Sequence, residues 1–337
     1  MEMRIGRRQM LQMLTMGAAT MGFGLSQGQR RQSFLLVTNS EGDDISVIDL
    51  EHLTLAGDWK VGERPHGIAV PANGHVAYTT IETEKTLKSI DSVSGKVLRT
   101  LPVPGRPNQC AVTPNGKFVA VPIFDGDSVQ IVDAENMKIV KALPVQMPHN
   151  CFNAGNNDHM FVTSMKGRQV KMIDLQTLEY IAEIPVGGVP RPIAVDHDEK
   201  TMYVALSNFH GFEILDIPSR KVVHRVEFPA LPPNTDLRPL LNTATHGLML
   251  TPDGKELWAA SIPTGNVFVY DVASGKVAPA IAAGQLPNWI AFSPDGRYGC
   301  VTNTGSNDCS IIDRRSKKEV ARIKVGKAPK RLTAASV

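Results

Sequence analysis

Seven short segments of this chain end in an aspartate after a mostly apolar pair: "VIDL" (Asp49), "SIDS" (Asp91), "IVDA" (Asp133), "MIDL" (Asp174), "ILDI" (Asp216), "VYDV" (Asp271) and "IIDR" (Asp313). They are spaced by 42, 42, 41, 42, 55 and 42 residues, and a repeat that regular excludes most folds at once. A second ladder runs in step with it from Pro65 to Pro329: "RPHG", "RPNQ", "MPHN", "VPRP", "ATHG", "LPNW" and "APKR". A third is the turn signal "PANG", "TPNG", "TPDG" and "SPDG", degraded to "NAGNND" and "DHDE" in two repeats. A period near 42 holding several short alternating strands predicts a β-propeller with four strands to a blade.

Each ladder has a mechanical reason. Pro-Asp-Gly between two apolar runs makes a tight hairpin, with glycine at the position that needs positive φ. The repeated aspartate ends a strand, where its carboxylate can accept backbone N–H groups of the next turn, so all seven are expected to be turn formers. The segment "SFLLVTNSEGDDISVIDL" enters the frame at a second strand, and "KVGKAPKRLTAASV" supplies a proline and a first strand. Joined, the two complete one blade. The expectation is an all-β, seven-bladed propeller of four-stranded blades, its ring closed by pairing the N- and C-terminal segments so that no sheet edge stays open there.

The segments "FLLVTNSEGDDISVIDL", "FVTSMKGRQVKMIDL" and "CVTNTGSNDCSIID", with "P…G" turns and "VG..P" lead-ins, resemble the YVTN family of β-propeller repeats over about residues 33 to 337. The resemblance implies the propeller fold. It leaves function open, since such repeats occur in lactonase-like, electron-transfer-associated and plain binding proteins. It also implies that histidines in "PHGI" and "THGL" can bridge to a neighbouring backbone carbonyl.

Composition fits one such domain: 42% of the 337 residues are apolar and 20% charged, enough for a large core under an ordinary polar surface. No run of 18 apolar residues follows the N-terminus, so no membrane span is expected in the mature chain. Residues 1–31 read as an export signal and short tail, and 32–337 as a single domain. Arg7 and Arg8 precede a weakly apolar stretch and resemble a twin-arginine signal, which implies a periplasmic or secreted protein. Gly6 before the arginines and the lack of a clean A-x-A site depart from the usual pattern. Removing those 31 residues takes five Arg and one Glu with them and moves the net charge from +3 to −1. A domain that is not basic argues against nucleic acid as the main partner, and a monomer is expected. Cys300 and Cys309 flank a hairpin and fit either a cross-strand disulfide or buried thiols, while Cys110 and Cys151 hold equivalent places in adjacent repeats.

The residue after each proline, or after Thr245 in one repeat, is predicted to sit at the top of the central channel. Numbering the shared blade as blade 1, the ring reads His66, Asn108, His149, Arg191, His246, Asn288 and Lys330 from blade 2 onward. Three histidines in alternate blades, with His210 in the top loop "LSNFHGFE" as a fourth member, could hold zinc, copper or iron. His75, His159, His197 and His52 fall on the opposite face, and His224 on an outer strand. Asn108, Asn288, Lys330 and Asp236 are candidate ligand-binding groups; Glu82, Asp125, Arg191 and Arg238 are candidate catalytic helpers beside a metal, with Lys166 in a comparable loop. The long 55-residue spacing reflects an insertion, "FPALPPNTDLRPLLNT", just before Thr245, and it places Asp236 and Arg238 over the same face. No G-x-S-x-G elbow, H-E-x-x-H helix or phosphate-cradling loop is present. Two functions remain: an exported propeller whose top-face site binds a metal or small ligand, with metal-dependent hydrolase, lyase or oxidase chemistry open, or a non-catalytic scaffold for a partner protein or extracellular ligand.

Overall fold

The computed structural model describes residues 32–207, 209–237 and 243–336, and among them the chain forms seven antiparallel sheets. The expected signal region, Arg7 and Arg8 included, and Arg238 lie outside the described residues. Blade 1 pairs Pro329–Ser336 with Ser33–Asn39, followed by Asp44–Asp49 and Thr54–Lys60. Leu35 opposes Ala334 and Val37 opposes Leu332, so the first and last described strands close the ring as the ladder requires. Blades 2 to 7 follow in chain order, each built from an inner strand outward. Their inner strands are Pro65–Ala69, Ala111–Val112, Pro148–Phe152, Pro190–Val195, Thr245–Leu250 and Pro287–Phe292.

The turn chemistry follows the sequence. Gly74, Gly116, Gly254 and Gly296 of the four intact hairpin signals all have φ between 68° and 73°. In the degraded "DHDE" repeat the hairpin survives with Glu199 at φ 52°, while the Asp196 carboxylate accepts the Lys200 N–H at 2.8 Å. The aspartate ladder caps turns: Asp91 accepts from Ser94 N, Asp271 from Ser274 N and Asp313 from Ser316 N at 2.7–2.8 Å. Blade 6 departs from the pattern. Its outer strand is split into Lys276–Val277 and Ile281–Ala282, both pairing with Asn266–Asp271, because Pro279 between them has no N–H for the ladder.

The threonine of the repeat joins neighbouring blades. Thr80 Oγ1 accepts Gly67 N at 2.7 Å within blade 2 and donates to Asn108 O of the next inner strand at 2.9 Å. Thr302 does the same for Trp289 N and Lys330 O, and Thr38 for Arg331 N and His66 O. Inner strands so held come very close. A Cβ on Gly67 would lie 2.7 Å from Asn108 O, and one on Gly247 3.0 Å from the Trp289 Cα, which is why "HG" recurs there. The asparagine that follows ties the top loop down: Asn303 Nδ2 donates to Asp308 Oδ1 and Ser310 Oγ at 2.8 Å. Apolar clusters fill the seams between blades, such as Leu35, Ile48, Cys300, Cys309 and Ile311 between blades 1 and 7.

All four cysteines are buried free thiols. Cys300 opposes Ile311 and Cys309 opposes Thr302, so the two sulfurs sit diagonally on the ladder rather than face to face. Of the two alternatives left by their spacing, the structure takes the thiol form.

Candidate functional site

Every inner strand has an irregular start. In blades 1, 2, 4, 5, 6 and 7 the ladder shifts register just after the proline, or after Thr245 in blade 6. In blade 3 only an isolated bridge, Pro107 with Ile123, precedes the strand proper. Arg64, Met147, Leu286 and Ala328, each directly before such a proline, hold φ between 49° and 60°. A bulge entered this way releases the next residues from strict alternation and re-aims their side chains. The residues so released include the whole predicted ring: His66, Asn108, His149, Arg191, His246, Asn288 and Lys330. All are buried except Lys330, which is partly so.

The structure brings His66, His149, His246, Arg191, Asn288 and Lys330 into one electrostatic cluster, together with Glu82. His66 Nδ1 lies 3.0 Å from Glu82 Oε1, close enough for an ion-pair contact although bent away from hydrogen-bond geometry. The His149 and His246 rings meet edge to face at 5.7 Å. Arg191 donates from Nη1 to His149 Nε2 at 3.4 Å and from Nε to Ser207 Oγ at 2.9 Å. His246 Nδ1 donates to Asn288 O at 3.0 Å, the bridge to a neighbouring carbonyl that the resemblance implied. Asn108 is buried in the same ring, where its Oδ1 accepts the Gln109 N–H.

One member of the cluster was not found from the sequence. Arg331, at 1% exposure, follows Lys330 in blade 1 and stacks its guanidinium 3.9 Å from the centre of the Trp289 ring. Its Nη1 donates to Asn288 Oδ1 at 3.2 Å. Reading one position further along each repeat would have given Gly67, Gln109, Asn150, Pro192, Gly247, Trp289 and Arg331, with a single charge among them. That contrast was the available signal.

The charges set the protonation states. Burial, with Arg331 and Lys330 nearby, lowers His66 to about 4 against the opposing pull of Glu82. His149 and His246 are held well below the ordinary histidine range by burial and by the two arginines. Burial also lowers Arg331 to about 9 and Arg191 to about 10. Burial alone would raise Glu82, but His66, Lys330 and Arg106 outweigh it and bring it to about 2. Among the described residues, the cluster at neutral pH therefore holds three neutral imidazoles, two arginines, a lysine and one carboxylate.

Other expected site residues lie elsewhere. Both His210 nitrogens are engaged, Nδ1 with Pro229 O at 2.8 Å and Nε2 with Ser261 Oγ at 2.7 Å, and the ring packs edge-on to Phe228 and Phe268. That places it in the seam of blades 5 and 6, apart from the three channel histidines. Asp125 is exposed and its Oδ1 accepts Arg106 N at 2.6 Å, which makes it the cap of the lead-in to blade 3. Asp236 and Lys166 are exposed. The histidines assigned to the opposite face behave as scaffold: His159 Nδ1 lies 2.5 Å from Glu199 Oε2, and His52 Nδ1 2.8 Å from Asp49 Oδ2. Among the described residues no group of three or more His, Cys, Asp or Glu is arranged to hold a metal ion.

The opposite end of the same channel is a different environment. A cavity of about 420 Å³ opens there, walled by Ile68, Val70, Val112, Phe152, Met249 and Leu332. Gln109, Asn150 and Trp289 also line it.

Comparison with known proteins bears on the fold. Residues 105–235 match the family profile described as YNCE-like beta-propeller. Antigen Lp49 of Leptospira interrogans is 24% identical over 202 residues, a match covering 45% of this chain and 41% of the relative, so the chain accounts for less than half of that curated protein. A chain of Kuenenia stuttgartiensis hydrazine synthase superposes with TM-score 0.68 at 20% identity, covering 81% of this chain and 95% of that one. The dihydro-heme d1 dehydrogenase NirN gives 0.64 at 13%, covering 89% and 74%. A functionally unknown protein from Desulfotomaculum acetoxidans gives 0.74 at 14%, covering 90% and 98%. At these identities the structural likeness speaks to the fold, and among the described residues no helix is long and apolar enough to cross a membrane. Seven closed blades and the repeat ladder make the chain a seven-bladed β-propeller, whose residues 105–235 are similar to the YNCE-like beta-propeller family.

Proposed function

We propose that the upper end of the channel binds a small anionic molecule. The observation that carries this reading is the convergence of buried Arg191 and Arg331, with Lys330 beside them, on a cluster whose one carboxylate is Glu82. The Arg331 Nε–H is buried and has no partner among the described residues, which is costly unless an acceptor meets it, and a guanidinium suits planar oxyanions through its fork of N–H donors. The same charges weigh against zinc, copper or iron bound by His66, His149 and His246. A divalent cation would face two arginines at close range, and one nitrogen of each ring already has a contact. The site reads as a binding site rather than a base catalyst, since an imidazole lowered to about 4 is a weak proton acceptor.

Binding is tested by thermal melting and calorimetry with inorganic phosphate and with succinate at constant ionic strength. The expected result is anion-dependent stabilisation that Arg331→Gln removes while the fold is kept. Equal melting temperatures with and without both anions would sink the reading. We also propose export, carried by Arg7 and Arg8; replacing both by Lys should leave precursor in the cytoplasm, and unchanged export would count against it.

A further inference from the structure

Hydrogen bonds assign the tautomers of His149 and His246, the carboxylate beside His66 assigns its own, and the tautomers describe the ligand more closely than charge does. A guanidinium has no acceptor, so the Arg191 contact makes His149 Nε2 the bare nitrogen and puts the ring proton on Nδ1. That Nδ1–H is buried and has no partner among the described residues. His246 gives its Nδ1 proton to Asn288 O, which leaves Nε2 as a lone pair. His66 Nδ1 lies 3.0 Å from a Glu82 carboxylate oxygen, which an N–H can face and a lone pair cannot, so its proton sits on Nδ1 and Nε2 is bare. That Nε2 is also buried and unpartnered, as is the Nε–H of Arg331.

The orphan groups are therefore of two kinds. His149 Nδ1–H and Arg331 Nε–H are donors that call for the oxygens of an anion. His66 Nε2 is an acceptor, and a simple carboxylate offers it nothing. A ligand that satisfies both must bring an anionic oxygen and an O–H donor within one small molecule. His66 is 5%, His149 3% and Arg331 1% exposed, so leaving any of these atoms unmet is costly.

We infer that the channel site is built for a hydroxy acid, its carboxylate meeting the arginines and His149 and its hydroxyl donating to His66 Nε2. This rests on the anion-binding reading above and narrows it. A site that hydrogen-bonds a ligand hydroxyl rejects the analogue lacking it far more strongly than a merely charged site would.

The test compares malate with succinate, two dicarboxylates that differ by a single hydroxyl, on the folded full-length protein by isothermal titration calorimetry at pH 7. Malate should bind about tenfold or more tightly than succinate. His66→Phe should abolish that preference, and His66→Gln, which keeps an acceptor, should retain part of it. Equal affinities for malate and succinate overturn the hydroxy-acid inference and leave the anion reading standing. Binding of phosphate without either dicarboxylate has the same consequence. Failure of all three anions removes both.

Discussion

The two ends of the central channel are built from the same seven strands and have opposite chemistry. At the upper end, arginines, lysine, histidines and asparagines gather with Glu82, most of them buried. At the lower end, Ile68, Val70, Val112, Phe152, Met249 and Leu332 wall an open apolar cavity. A few residues separate one environment from the other along each strand, and the change falls where the bulge ends and regular pairing begins. Below the bulge, side chains alternate between channel and seam, and burial selects apolar groups. Within it, consecutive residues escape the ladder, so the rim can carry polar side chains without disturbing any blade.

The largest change should come from removing the strand that supplies Lys330, Arg331 and Leu332 together. Truncation after Gly326 deletes the inner strand of blade 1 and leaves Ser33–Asn39 as an open edge. The expected outcome is aggregation or loss of the cooperative melt. A truncated protein that melts like the intact one would contradict the closure seen here.

Acid should act on the upper end and spare the lower. His66, His149 and His246 bind protons less readily folded than unfolded. The unfolded chain therefore holds more protons once the pH drops below its ordinary histidine value, and stability falls as pH falls from about 6.5 toward 4. Each fully buried histidine contributes a slope of about 1.4 kcal/mol per pH unit in that window. Urea titrations at several pH values measure the slope, and it should shrink in a His149→Gln variant. Conversely, an anion held by the arginines should raise the histidines and flatten the acid loss. A slope indifferent to both changes would remove the channel histidines from the account.

A smaller effect is expected at Gly67. Alanine there puts a Cβ 2.7–2.8 Å from Asn108 O, Cys110 N and Thr80 Oγ1, two of them backbone atoms that cannot swing away. The inner strands of blades 2 and 3 must separate, at a cost of about 1–3 kcal/mol in chemical denaturation, similar to an overpacked core. Smallest of all, His75→Ala on the exposed lower face should change stability by less than about 0.5 kcal/mol and leave anion binding unaltered. An effect on binding there would mean that the two ends communicate.

The fold was legible in the sequence because its signals are local and repeated. Asp49 to Asp313 each cap a turn beside them, and Gly74, Gly116, Gly254 and Gly296 each turn a hairpin, so one repeat corroborates the next. The ring of residues after the prolines was legible for the same reason. Arg331 was not, because strict alternation would send it away from the side Lys330 takes, and only a bulge lets neighbours share one side. His210 was grouped with the channel histidines by its loop alone; which seam its ring enters depends on Phe228 and Phe268, and loop position carries no information about that packing.

The irregular starts of the seven inner strands have an evolutionary consequence. Because Asn108 and Asn288 lie where the ladder is irregular and are held there by backbone atoms that any residue supplies, exchanging their side chains alters what the channel prefers while keeping the alignment of the blades. Ligand preference and thermal robustness can then drift separately in descendants of this chain, one on the rim and the other in the seams.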